Sequence, residues 1–420
     1  MTHKLIILLA ACLFMTHSSA HAKYQAEFTP AISISELYDD NIDLDNTNEK
    51  TDWITTVSPS INLNLISEKN NFSLKYSPSI VRYKNEEQNN AIRHSGTLMF
   101  NENLTSRFSF NLNDTFTRTE DPVEETQGIY NVRKTRNIYT RNNGTAGMRY
   151  IFGPENSFSL TFNHSMLKNE DTTLEDNISS NPSAGLAYWF NTNNGVELNY
   201  QYTDVKYSRG DERITGDDYS GNTAAIKYLY RFSTHTTTFL GYTFNSREFE
   251  NKTDNYDIHD GSIGLTHSFS NNVSLSLSGG YFKLKNDVPG DDNGYSYNVS
   301  LSKKFSRGNI SLGGIGGWRE SFLEAERQGL SKYWTLNTAF DYQILERLSN
   351  YAGLSYMLDK NEQDYKYSTY SANYGWRVTF LKWFSLAIDY SRSTRKDDIT
   401  INDYNDNRIM MTLSAGKVFK

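Results

Sequence analysis

Cysteine is almost absent from this chain: Cys12 is the only one in 420 residues, which excludes a disulfide framework and a cysteine-built metal cage. Proline is scarce too, at 7 residues, so long regular elements meet few interruptions. No window after the first 22 residues approaches the roughly 18 consecutive apolar residues that a membrane-spanning helix needs, and helical membrane proteins are thereby excluded. A basic stripe is also missing. The net charge is −7, no RNA-binding signature is present, and no nucleic-acid partner is expected.

What the chain has in quantity is aromatic side chains, 29 Tyr and 23 Phe, against a mean hydropathy of −0.65. A globular protein of this size normally has a richer aliphatic core. Low hydropathy with many aromatics fits either a disordered chain or a membrane barrel with a polar interior. Disordered chains are poor in aromatic and β-branched residues. A barrel averages a lipid face with a wet face, so its mean hydropathy resembles that of a soluble protein.

The N-terminus supplies an address. Lys4 is followed by an apolar run from Leu5 to Phe14 and a polar stretch ending Ala20-His21-Ala22, the layout of a secretory signal peptide with an A-x-A cleavage site. Residues 1–22 are expected to be removed and residues 23–420 to form one barrel domain. Cleavage takes away Cys12 and Lys4, moving the net charge from −7 to −8. Leu9-Ala10-Ala11-Cys12 has the residue types of a lipoprotein box. The apolar segment before Cys12 is short for that reading, and the run continues through Leu13, Phe14 and Met15.

Read in twos, the chain alternates almost throughout. Phe72, Leu74, Tyr76 and Ile80 alternate with Ser73, Lys75, Ser77 and Ser79; Phe158, Leu160 and Phe162 alternate with Ser159, Thr161 and Asn163. Period two with one apolar face marks strands. Tight turns, such as Gly153-Pro154-Glu155-Asn156 and Ser306-Arg307-Gly308, alternate with longer acidic stretches at Asp39 to Lys50, Glu120 to Arg133, Arg209 to Asp218 and Lys396 to Asn407. Short periplasmic turns and longer external loops are the habit of an all-β, antiparallel transmembrane barrel. The connections predict about 20 strands, with 18 the other count their boundaries allow.

Strands entering the short turns end in phenylalanine at Phe152, Phe190, Phe232, Phe269, Phe305 and Phe380, and the chain closes on Phe419-Lys420. Stepping back in twos from each stays on the apolar face. These seven rings are expected to form an aromatic girdle at the periplasmic boundary of the lipid, with Lys303 snorkelling beside Phe305. A propeller blade has a similar period of roughly 40 residues, but it needs four short strands where this chain has two long ones.

The N-terminal hairpin reads Ile34-Ser35-Glu36-Leu37-Tyr38-Asp39-Asp40-Asn41-Ile42, then Asp52-Trp53-Ile54-Thr55-Thr56-Val57-Ser58-Pro59-Ser60-Ile61. It resembles the opening of the β-barrel porin 2 family, outer-membrane barrels associated with exopolysaccharide loci. The resemblance is close over about a tenth of the chain and architectural over the rest. It implies an outer-membrane, porin-like protein that handles polysaccharide.

If the Phe parity faces lipid, the opposite parity lines the lumen. That places Asn62, Asn64, Lys75, Asn111 and Asn113 on the wall, with Arg141, Arg149, Asn163, Asn298 and Arg377. Such a mostly neutral lining offers hydrogen-bond donors and acceptors to an uncharged, hydroxyl-rich solute; it also simply keeps a lumen wet. The loop carrying Asp121, Glu124 and Glu125, folded inward, would set acids against Arg141 and Arg149 and narrow the pore. Asp39, Asp40, Asn41, Asp43 and Asp45, or Asp287, Asp291 and Asp292, offer oxygen ligands to Ca²⁺, but EF-hand spacing is missing and no metal site is assigned. His94, His164, His235, His259 and His267 are scattered without a nucleophile motif, so neither catalysis nor a cofactor is expected.

The sequence thus predicts a porin-like channel in a bacterial outer membrane that passes or exports carbohydrate. The alternative is a non-transporting surface barrel whose acidic loops bind a partner or matrix polysaccharide. Expected partners are outer-membrane lipid, the barrel-assembly machinery, polysaccharide and a periplasmic export partner.

Overall fold

The computed structural model describes residues 24–121, 131–132, 136–209, 212–213, 218–250, 255–286, 292–323, 326–361 and 365–420. Twenty long strands, from Gln25–Asp39 to Tyr404–Gly416, each pair antiparallel with the next, and two-residue strands at Asn131–Val132 and Glu212–Arg213 lie in the long connections. The first strand pairs with the last from Ala31↔Gly416 to Asp39↔Arg408, and Phe28 and Phe419 exchange backbone hydrogen bonds of 2.8 Å beyond that. Pairing of the first strand with the last closes the sheet on itself, so it has no free edge strand. The protein is a closed, 20-strand antiparallel barrel, in agreement with the larger of the two counts.

The alternating sequence explains why each strand forms and which way it faces. With a side-chain period of two, the register carries one parity unbroken round the wall: Phe28↔Leu63, Leu63↔Leu74, Leu74↔Leu98, and so on to Leu386↔Leu413 and Leu413↔Ile34. Side chains of this parity include the large exposed apolar residues Ile34, Phe162, Ile226, Leu240 and Ile263. The other parity converges on the concave side, where Arg319 reaches Tyr367 from a strand not adjacent to its own. The Phe parity is the outer face.

Outer rings fall in two belts. Near the short turns, Phe152 contacts Tyr188, Tyr188 contacts Phe190, and Tyr230 contacts Phe232. Lys303 Nζ sits 5.3 Å from the centre of Phe305, and His267 meets Phe269 edge-on at 4.4 Å. Phe152, Phe190 and Phe419 sit one to three residues past their strand ends. A second belt lies higher, where Tyr281 faces Tyr295 at 5.7 Å and Tyr356 faces Tyr370 at 4.8 Å. Phe305 and Tyr295 are ten residues apart on one strand, as are Phe380 and Tyr370. Ten residues rise roughly 33 Å along a strand, or about 25 Å along the axis of a barrel tilted near 40°.

Candidate functional site

The inner face has two zones. In the half nearer the short turns the wall is polar: asparagine, serine and threonine side chains alternate with charged ones of both signs, among them Glu27, Lys75, Arg149, Glu197 and Lys227. Asn62 opposes Lys75 and accepts a 3.4 Å hydrogen bond from Ser73 Oγ; Asn64 opposes Ser73. Asn113, Thr145 and Asn163 form one row across three strands, with Thr145 Oγ1 donating to Asn163 Oδ1 at 2.8 Å. Asn298 and Arg377 are exposed to the interior. At several places, Gly353 beside Asn373 among them, an asparagine lies along the wall where its neighbour is glycine. A Cβ on Gly147 would stand 2.5 Å from Asn111 Oδ1, and one on Gly313 would stand 2.5 Å from Asn337 Oδ1. These glycines leave the room in which the amides recline on the wall.

The half nearer the long connections is packed. One arc is charged. Arg408 Nε lies 3.0 Å from Asp39 Oδ2 and 2.9 Å from Asp406 Oδ2. Arg93 holds Glu120 at 2.6 Å and Asp121 at 2.7 Å, and Arg136 reaches Asp43, Asp121, the Tyr83 hydroxyl and the Ile42 carbonyl. Arg319 donates to Asp359 at 2.6 Å and to Tyr367 Oη at 2.9 Å. The facing arc is apolar. Val205, Tyr207 and Tyr219 pack together with Phe249, and Tyr256, Ile258, Phe282, Leu284 and Leu330 form a second cluster with Phe249 and Trp318.

Trp318 and Leu330 belong to the longest hairpin, Gly308–Leu323 with Glu326–Leu345. Its first strand pairs with the neighbouring wall strand only up to Tyr297↔Gly316, and its second only from Ser331↔Asn361 onward. Beyond those points the two strands stay paired with each other as far as Leu323↔Glu326. Phe322 and Leu323 also run parallel to Asn131 and Val132, which come from the connection between Phe108–Thr119 and Tyr139–Ile151 on the far side of the barrel. Two connections therefore meet across the mouth.

Several sequence expectations are corrected here. The acids at Glu120 and Asp121 meet Arg93 and Arg136. Arg141 instead lies 6.0 Å over the Tyr139 ring, and Arg149 bonds Ser157 at 3.3 Å. Arg149 stands two residues from the short-turn end of its strand, a barrel's length from the loop. Glu124 and Glu125 lie outside the described residues, as do Asp287 and Asp291. Of the N-terminal acids, Asp43 is held by Lys50 at 3.1 Å and by Arg136, and Asn41 Nδ2 ties the loop to the Asp45 and Asn405 carbonyls. Asp39, Asp40 and Asp406 do come together, around Arg408 and the Asn407 amide groups. His94, His164, His259 and His267 face outward, each within hydrogen-bond distance of a hydroxyl.

The paired arginines of the mouth and the inward hairpin escaped the sequence reading. Inner parity and proximity to long connections flag Arg319 and Arg408 as lumen residues. Nothing local flags their partners, 40 and 369 residues away.

No protein-family profile matches the chain, and no curated protein matches it; the β-barrel porin 2 resemblance therefore rests on its N-terminal residues alone. Among solved structures, the chain is similar to a variant of the ferric enterobactin receptor PfeA of Pseudomonas aeruginosa in complex with enterobactin. The TM-score is 0.54 at 10% identity over 94% of this chain and 82% of that one. It is also similar to the siderophore receptor PirA of Pseudomonas aeruginosa, with TM-score 0.51 at 9% identity over 92% and 80%. The outer membrane protein OpdK of the same organism aligns over 94% and 99% at 10% identity, with a TM-score of 0.44. What the chain shares with the two receptors is the large barrel fold.

Proposed function

We propose that this chain is a porin-like channel of a bacterial outer membrane, passing or exporting neutral, hydroxyl-rich solutes such as carbohydrate, without catalysis. The observation that carries the reading is the inner wall: a closed barrel whose short-turn half is polar and carries reclining asparagine amides among charges of both signs, enclosed by an apolar outer face. Two aromatic belts roughly one bilayer core apart support the membrane placement. Amides both donate and accept, so they exchange hydrogen bonds with sugar hydroxyls, and the charges beside them are of both signs rather than a ring of one. Outer-membrane lipid, the assembly machinery and a periplasmic export partner are the partners this role calls for, after removal of residues 1–22.

Conductance of the refolded mature protein in a planar bilayer, with neutral oligosaccharides of increasing length, tests the reading. Discrete steps blocked by sugar in a length-dependent way are expected. A pore indifferent to sugar but strongly ion-selective would contradict the substrate class. Deleting Asp121 to Gln127 frees Arg93 and Arg136 from Asp121 and is expected to raise conductance; an unchanged pore would rule out that loop as a constriction.

The packed mouth favours a second reading, a surface barrel whose acidic connections bind a partner. A shortened mouth that still passes no current would select it.

A further inference from the structure

We propose that the hairpin Gly308–Leu345 is a gate: above Gly316 and Ser331 it has left the barrel wall, and its inward position closes the channel mouth. The inference rests on the channel reading but concerns a different element from the loop at Asp121.

Three observations carry it. A strand built only to complete the wall would stay paired with both neighbours along its length. Here, although the neighbouring wall strand begins at Asp292, its pairing stops at Tyr297↔Gly316; residues 317–321 have no partner on that strand among the described residues, and Phe322 and Leu323 pair instead with Asn131–Val132. The wall closes below the hairpin without it, because pairing on both sides is continuous from the short turns up to Gly316 and Ser331.

The side chains at the bend then fix the inward position from both sides. Trp318 and Leu330 seat against Tyr256, Ile258, Phe282 and Leu284 on one wall. Arg319, on the opposite face of the same hairpin, is clamped by Asp359 and Tyr367 on the other. An apolar cluster on the inner surface of a wet bore has no role for a hydrophilic solute, whereas it is what a movable apolar segment requires as a seat.

The seat is also divided by chemistry in a way that suits opening. Opening breaks the parallel pairing of two residues, the apolar seat and the Arg319 clamp on Asp359 and Tyr367, and leaves the backbone pairing of the wall below Gly316 and Ser331 in place. A two-position element of this kind is what gating calls for.

The test replaces residues 318–332 by Asn-Gly. Gly317 and Tyr333 face each other in register, and a two-residue turn closes such a pair. A second variant, Leu330→Asp, keeps the hairpin and places a charge in its seat. Folding of each is checked by the heat-dependent shift in gel mobility that intact barrels give. Single-channel recordings in planar bilayers are then compared with the unaltered mature protein. The gate predicts brief, rare openings in the unaltered protein and a several-fold rise in open time in both folded variants. Equal conductance and open time in all three overturns the gate and leaves the channel reading standing. Absence of current in all three, with the barrels inserted, overturns both.

Discussion

Arg319 and Asp359 are 6% and 0% exposed, and a buried pair of this kind is judged by what happens when one member goes. Removing one charge strands the other in a packed site, at a cost of about 3–5 kcal/mol, whereas an apolar replacement of both is close to neutral. Asp359→Leu is therefore expected to loosen the mouth by that amount in urea titrations of the vesicle-inserted barrel, and Arg319→Met combined with Asp359→Leu is expected to restore most of it. Equal losses in the single and double variants would mean that the pair does not act as one unit. At the short turns, Arg231 hydrogen-bonds Glu155 through two contacts of 3.0 and 2.6 Å and holds its carboxyl below the usual Glu range. A carboxyl with a lowered folded pKa stabilises above its unfolded value and loses that contribution as pH falls through the folded one. NMR titration of Glu155 is expected to show a midpoint below that of the same carboxyl in an Arg231→Met variant; coincident midpoints would deny the contact in solution. Asn62, Asn163 and Arg377 were legible as inner residues because parity needs only counting in twos. Arg319 was legible as inner in the same way, but its clamp was not, because Asp359 and Tyr367 lie on other strands and only the barrel's curvature brings them together.

The strand is the scale at which sequence and structure agree best. Alternation of Phe158, Leu160 and Phe162 with Ser159, Thr161 and Asn163 fixes one strand's two faces without reference to any neighbour. Adjacent substitutions are therefore expected to differ sharply. Leu160→Arg places a cation on the lipid face and should destabilise folding into vesicles by about 2–4 kcal/mol near mid-bilayer, while Thr161→Arg points into the wet bore and should cost far less. Similar losses at both positions in denaturant titrations would contradict the assigned faces. Strand ends were less legible than strand interiors. The stretch from Lys396 to Asn407 reads as a loop from its acids and asparagines, yet strand structure runs to Asp397 and resumes at Tyr404, since pairing with the long neighbouring strands overrides local composition. The upper aromatic belt was overlooked because Tyr295 and Tyr370 sit mid-strand, where no turn marks them. The bend above Gly316 was invisible for a deeper reason: a strand that leaves the wall keeps the same alternation as one that stays.

For the whole molecule, closure was legible from the uniform grammar of hairpins, and the pairing of Ala31–Asp39 with Arg408–Gly416 realises it. The state of the bore was not, because an inner face of one average polarity conceals a wet half and a packed half. The account stands or falls on which face meets water, and one pair of neighbouring residues reports on it. Residues 23–420 contain no cysteine, so in a chain of those residues Phe162→Cys and Asn163→Cys can each be reconstituted in lipid vesicles as the only thiol. With a membrane-impermeant maleimide, Cys at 163 is expected to label readily and Cys at 162 to resist, the order reversing with a lipid-soluble reagent. Labelling of 162 from water with protection of 163 would contradict the barrel's assigned faces, and the channel reading with them.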